Sequence, residues 1–182
     1  MNAPTVIVTA CNPSEDWDRT SALFDQSLAL ANKLSECGLP LLMVTDQDNP
    51  ERPRLMPECA TLHRTRLESL NVLDRHVEAL VEGVLLSSRS AGWIWVPSDT
   101  PMLSPMTVLA VANALNSCPL AHAEHARQGG IPLGVGSEFY SELIQLGGYR
   151  DMMRFRARYP ALGVSVNDPG AIMSESGKLG LS

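Results

Sequence analysis

Trp93-Ile94-Trp95-Val96 is a run of four apolar residues, and Pro97-Ser98-Asp99-Thr100-Pro101 follows it at once. A carboxylate therefore stands just beyond the end of a stretch that reads as a buried strand. Two chemistries fit it. Asp favours turns and accepts local backbone N–H bonds, so Asp99 can stabilise the turn before Pro101. A hard carboxylate at a strand end can also hold Mg²⁺, an ion that keeps several waters and takes further oxygens from substrate phosphates.

Other residues of the right type are weaker candidates. His122 and His125, with Cys118 nearby, have neither the helical i,i+4 spacing nor a finger pattern, and no second cluster accompanies them, so a substrate-facing role fits better than zinc. Cys11 follows an apolar run as a nucleophile would. With no histidine beside it and Glu15, Asp16 and Asp18 close behind, it reads as an inert thiol. Trp93 and Trp95 alternate along a strand and read as packing residues. Arg127 and Arg150 are the candidate anion contacts outside the first loop.

The elements that must position these residues follow from hydrophobic period. Thr5–Val8, Leu41–Val44, Trp93–Val96 and Val164–Val166 read as strands, with a weak edge strand over Thr61–Thr65. Leu23, Ser27, Leu30 and Leu34 share a helical face ended by Gly38. Leu70, Leu73, Val77, Leu80, Val81 and Val84 mark a second amphipathic helix. Ser104-Pro105 is a capped helix start, with Val108, Val111, Ala112 and Leu115 on its apolar side. A mixed stretch runs from Pro119 to Gly136, and helices are expected around 137–146 and 150–159. Short apolar strands alternating with amphipathic helices predict a three-layer α/β/α sandwich, Rossmann-like, with a mainly parallel sheet. Such sheets bind ligands at the carboxyl ends of their strands, which is where Asp99 falls.

The chain has 182 residues, no repeats and no convincing boundary, and reads as a single domain over 1–182. Its net charge of −6 argues against a broad nucleic-acid surface and leaves room for a local anion site. Cysteines 11, 37, 59 and 118 show no CxxC spacing and read as reduced thiols. No positively charged leader and no apolar run near ~20 residues is present, so a cytoplasmic protein without a membrane partner is expected.

The stretch Val96-Pro97-Ser98-Asp99-Thr100-Pro101-Met102-Leu103-Ser104-Pro105 resembles the motif of the MobA-like nucleotidyltransferases, which include molybdenum cofactor guanylyltransferase. Gly130-Ile131-Pro132-Leu133, Gly148-Tyr149-Arg150-Asp151-Met152-Met153 and Asp168-Pro169-Gly170-Ala171-Ile172 resemble later segments of that family, so the likeness spans roughly residues 90–175. The resemblance implies transfer of a nucleotide from GTP or CTP to a phosphorylated acceptor such as molybdopterin. It assigns Asp99 as the catalytic metal ligand with Mg²⁺, Thr9, Ala10, Arg19 and Ser98 to the nucleotide, and Gly130, Pro132 and Arg150 to the acceptor. Where the family has a glycine-rich phosphate loop, residues 8–20 here contain no glycine, three acids and the single base Arg19. Where it has a second metal ligand, this chain has Ser174-Glu175-Ser176. Residues 10–20 are expected to be mobile, or folded across the site with Trp17 packed, and to form no ring of inward amides. A protein that has lost catalysis and acts as a binding or partner module, with a homodimer as one form, is the competing reading. A sugar-nucleotide glycosyltransferase would want an Asp-x-Asp that 97–99 lacks.

Overall fold

The computed structural model describes residues 3–11, 17–46 and 60–174. A seven-stranded sheet runs through it in the order β3-β2-β1-β4-β6-β5-β7. The strands are β1 (Thr5–Ala10), β2 (Leu41–Thr45), β3 (Ala60–Arg64), β4 (Gly92–Pro97), β5 (Leu120–His125), β6 (Gln128–Gly136) and β7 (Leu162–Ser165). Every pairing is parallel except those of β6, which runs antiparallel to both β4 and β5. Helices α1 (Trp17–Leu34) and α3 (Pro105–Ala114) cover one face. Helices α2 (Val72–Leu86), α4 (Tyr140–Leu143) and α5 (Tyr149–Arg158) cover the other. The α/β/α sandwich expected from the alternation of strands and helices is the observed architecture.

The central strands explain their own sequence. All residues of β1, β2 and β4 are buried, which is why they read as unbroken apolar runs and not as alternation. Alternate residues then serve opposite layers: Val6 and Val8 meet α1 and α3, while Ile7, Trp93 and Trp95 meet α2 and its neighbours. The weak strand at 60–64 is the sheet edge beside β2, and its half-exposed pattern is that of an edge.

Helix ends follow local chemistry. Ser104 caps α3 by accepting the Met106 N–H at 3.2 Å, with Pro105 in the first turn. Asn71 caps α2 by accepting the Leu73 N–H at 2.9 Å. Leu70, expected on the apolar face of that helix, instead precedes the cap and is fully exposed. Gly38 closes the first helix as expected, at φ 73°. That helix already begins at Trp17, four residues before its apolar period is legible.

The stretch from Pro119 to Gly136 is a hairpin that sequence reasoning did not resolve. Its turn, Ala126-Arg127, has φ of 52° and 68°, the left-handed pair of a two-residue hairpin loop. Such loops carry Asn-Gly or Asp-Gly as a rule, so Ala-Arg gives no signal. Pro132 lies buried in β6 opposite a register shift in β5 between His122 and Glu124. A proline without an N–H is tolerated inside a sheet at such an irregularity.

The layer holding α2 lies unusually close to β1. A Cβ at Gly83 would come within 2.8 Å of Ile7 Cγ2, in a place where Ile7 is wholly buried. This approach packs the last turns of α2 against the middle of β1. Gly83→Val is expected to cost about 1–3 kcal/mol by overpacking, read as a lower urea midpoint at unchanged slope.

Candidate functional site

The strand order reverses at β1. The chain goes from β1 to β2 and β3 on one side, then returns to β4 on the other, so the β1–β4 boundary is the topological switch point where open α/β sheets take their ligands. Thr9 pairs with Pro97 in the last rung, and the pairing continues one step further, Ser98 N–H donating to the Thr9 carbonyl at 3.0 Å. Thr9, Ala10, Ser98 and Asp99 therefore sit together at one edge. Thr9 and Ala10 are buried, while Ser98 and Asp99 are partly open.

The turn after β4 sets the place of Asp99, which is partly buried. Thr100, 1% exposed, donates its hydroxyl to the Pro97 carbonyl at 2.7 Å, and Leu103 N–H closes onto the Thr100 carbonyl at 3.2 Å. The local turn is thus built by Thr100, and Asp99 is left for another task. Its Oδ2 accepts the Ser174 hydroxyl, which reaches it from 75 residues away.

Asp168 is what brings Ser174 there. One of its oxygens accepts the Ser104 N–H at 2.9 Å and the Thr107 hydroxyl at 2.5 Å; the other accepts the Gly170 N–H at 2.9 Å. A Cβ on Gly170 would lie 2.5 Å from the Met102 carbonyl carbon, and one on Gly130 would lie 2.1 Å from the Ala171 oxygen. Both glycines are required by close backbone approach. Together they fold residues 169–174 over the loop 100–104 and the start of β6. Thr100, Gly129, Gly130, Ile131, Met173 and Ser174 line a small pocket beside Asp99.

Beneath the edge lies a buried polar group. Trp95 Nε1 donates to Thr9 Oγ1 at 3.0 Å, and His76 Nδ1 of α2 lies 2.8 Å from the same oxygen. Trp95 and Thr9 are 0% exposed and His76 3%. Burial pushes His76 down from 6.5 to about 4, opposed by the Asp99 charge and by the Thr9 backbone, so the imidazole is neutral at pH 7.

The next strand end repeats the pattern. Asp46 follows β2 as Asp99 follows β4, and it pairs with Arg75 at 2.8 Å. That pattern was legible in the sequence, but the polar cluster around 46–50 reads as loop. Burial, and then Asp46, push the Cys11 thiol well above its ordinary range, so it is a poor nucleophile. Further along the edge, His122 and Glu124 both approach Gly163 of β7: its Cβ position is 3.7 Å from His122 Nε2 and 2.7 Å from Glu124 Oε2. Burial lowers His122, with the Arg156 charge adding to it. Burial likewise lowers Arg156, and raises Tyr149 across from it.

The remaining sequence candidates fall as follows. Arg19 lies in the first turn of α1, its side chain outside the described residues, as are loop residues 12–16 and Glu175. The expectations for the first loop and for Trp17 packing therefore fall outside them too. Arg150 is exposed on the first turn of α5, and Arg127 is exposed at the hairpin tip. Gly130 lines the pocket beside Asp99; Pro132 is buried in the sheet. His125 Nδ1 bonds the Val166 carbonyl at 3.1 Å, and Cys118 bonds the Leu120 carbonyl at 3.2 Å. Among the described residues no three His, Cys, Asp or Glu groups converge on a metal-sized point. Asp99 with the adjacent Ser174 hydroxyl offers oxygen donors only, the set that suits Mg²⁺ holding water and substrate phosphates for its other positions.

No family model and no curated protein matches the chain. Solved structures do match its fold. A nucleotidyl transferase from Methanothermobacter (Mth528) superposes with a TM-score of 0.68 at 18% identity, over 98% of this chain and 95% of that one. Rv0371c from Mycobacterium tuberculosis H37Rv, solved with manganese, gives 0.68 at 16% identity over 91% and 88%. CMP:2-keto-3-deoxy-manno-octonic acid synthetase, solved with CTP, gives 0.59 at 13% identity over 90% of each chain. These likenesses establish the α/β fold. Among the described residues no helix is long and apolar enough to cross a membrane.

Two outcomes follow for the framework of the site. Below 6.5 the unfolded chain binds a proton that folded His76 refuses, so stability is complete above pH 6.5 and declines as pH falls toward 4. The loss amounts to about 3 kcal/mol. His76→Asn should flatten that part of the urea-unfolding profile. Asp168→Ala should cost roughly 2–4 kcal/mol, since it orphans donors on two segments at once, and thermal unfolding reads the loss.

Proposed function

We propose that the protein transfers a nucleotide from an NTP to a phosphorylated acceptor, with the site at the β1–β4 switch point. The observation that carries this reading is Asp99: a carboxylate released from turn duty by Thr100, placed at the carboxyl edge and touched by Ser174. The names of the structural neighbours point the same way, two to nucleotidyl or CMP transfer and one to manganese. In this reading Asp99 holds Mg²⁺, which when bound supplies positive charge beside the triphosphate. The nucleotide lies along the ends of β1 and β4, against Ser98 and over the buried Thr9 and Ala10, with Arg19 at the start of α1 as the cationic contact. The acceptor lies over the small pocket at Gly130, which is too narrow to enclose it, with Pro132 in the strand behind, and Arg127 at the hairpin tip and Arg150 on α5 are its candidate cationic contacts.

Chemically, an acceptor phosphate oxygen attacks the α-phosphorus, the bond from that phosphorus to the bridging oxygen breaks, and pyrophosphate leaves. The chain contributes positioning and charge complementarity. CTP and GTP are the nucleotides proposed, molybdopterin the model acceptor, MobA-like proteins the family analogy and the cytoplasm the setting. A binding module without turnover, alone or as a homodimer, is favoured by one specific observation: among the described residues no three His, Cys, Asp or Glu groups converge around Asp99.

Calorimetry of CTP, GTP, ATP and UTP with and without Mg²⁺ tests the proposal. The wild type should bind one of them with a Mg²⁺-dependent component. Asp99→Asn should remove that component, at least tenfold in affinity, with the fold intact, because an amide oxygen lacks the charge that attracts Mg²⁺. Absence of any nucleotide binding by the wild type rejects the proposal. Binding without pyrophosphate release selects the binding-module reading.

A further inference from the structure

An imidazole on the sheet-facing side of α2 is an odd choice. The other buried residues of that face are Val77, Ala79, Leu80, Gly83 and Val84, all apolar. Desolvating a polar ring has a cost, and a typical hydrogen bond returns only about 1 kcal/mol net, so packing alone would favour an apolar side chain. His76 is nevertheless buried, and it shares the Thr9 hydroxyl with Trp95. Three elements, β1, β4 and α2, are thereby joined through one oxygen atom. The backbone of the same Thr9 accepts the Ser98 N–H at 3.0 Å, one residue before Asp99.

The geometry is that of a brace. A tryptophan N–H only donates, so the Thr9 oxygen accepts there and its own hydrogen is available to a neutral imidazole. With both partners in place the Thr9 side chain has one position, the end of β1 is fixed against α2, and the first residue beyond β4 is fixed against β1. Asp99 inherits that placement. A carboxylate that must meet a small cation with strict octahedral demands gains from such support, because a shift of about 1 Å spoils the contact.

We infer that His76 is a positioning residue for the Asp99 centre, acting through Thr9 and Ser98 to hold the carboxylate where a divalent cation can use it. The inference rests on Asp99 being the metal ligand proposed above. It requires no proton transfer by His76 itself.

The experiment measures Mn²⁺ affinity of the whole chain by electron paramagnetic resonance, Mg²⁺–CTP and Mg²⁺–GTP affinity by calorimetry, and thermal midpoints. The variants are His76→Leu, Thr9→Val, the two combined, and His76→Asn. His76→Leu and Thr9→Val should each weaken Mn²⁺ binding about tenfold, close to 1.4 kcal/mol. The double variant should be little weaker than either, since both break the same connection. His76→Asn, whose amide can meet the Thr9 hydroxyl where Nδ1 does, should return to within about threefold of wild type. If His76→Leu does not fold, Thr9→Val and His76→Asn carry the comparison. Lowered thermal midpoints with Mn²⁺ affinity within about twofold of wild type would overturn the inference and leave the transferase reading standing. A wild type that binds Mn²⁺ but none of the nucleotides would reject the transferase reading while the variants still decide the role of His76. A wild type that binds no divalent cation rejects both.

Discussion

The parallel pairing of β1 with β4 is the constraint on which the rest of the structure depends. Five rungs, from Thr5–Trp93 to Thr9–Pro97, bring together segments nearly ninety residues apart. A parallel pair cannot be closed by a tight turn, so the intervening chain must cross over, and here it does so through two further strands and two helices. Because β2 and β3 have gone to one side of β1, β4 must take the other. That reversal leaves a crevice at the carboxyl edge, and Asp99 stands on its rim.

Two kinds of interaction convert the crevice into a defined site. The first is close backbone approach: Gly130 against Ala171 and Gly170 against Met102 let the segment after β7 fold down over the loop after β4. Asp168 then bonds the amino end of α3 and its own turn at once. The second is the buried trio beneath, where Trp95, Thr9 and His76 tie strand, strand and helix at a single oxygen. The apolar layers supply most of the favourable burial, but they are not directional. The hydrogen-bonded contacts choose which atoms face one another.

The electrostatics of the edge are mixed. Asp46 is matched by Arg75, which lowers the local negative potential at the β2 end. Asp99 accepts a hydroxyl, and its charge acts on the buried His76 beneath it. The cluster of His122, Glu124, Arg156 and Tyr149 at the β5 end lies two strands from β4, with burial moving the last two in opposite directions. Neutral and charged groups thus alternate along one edge, an arrangement suited to a ligand with both anionic and hydrogen-bonding parts.

Much of this was written in local pattern. Continuous apolar runs marked the buried strands because residues buried on both faces have no reason to alternate, and Ser104-Pro105, Asp99 and Gly38 fell where the structure puts a cap, a strand-end acid and a helix stop. What local pattern could not give was anything set by two distant segments. Asp168 and Ser174 carry no spacing signal toward Ser104 and Asp99, since their partners are 61 to 75 residues away. His76 carries no local signal, because only its contact with Thr9, 67 residues away, sets it apart from other positions of its helix. The Ala126-Arg127 turn was silent because tertiary pairing of β5 with β6 holds two residues at positive φ against their own preference. The sequence by itself determined the layers, the strand-end carboxylate and the caps, because these depend on period and on neighbours a few residues apart. Only the tertiary structure decided which hydroxyl meets Asp99 and which imidazole braces it, because hydrogen bonds act over about 3 Å and the chain must fold before such partners come that near.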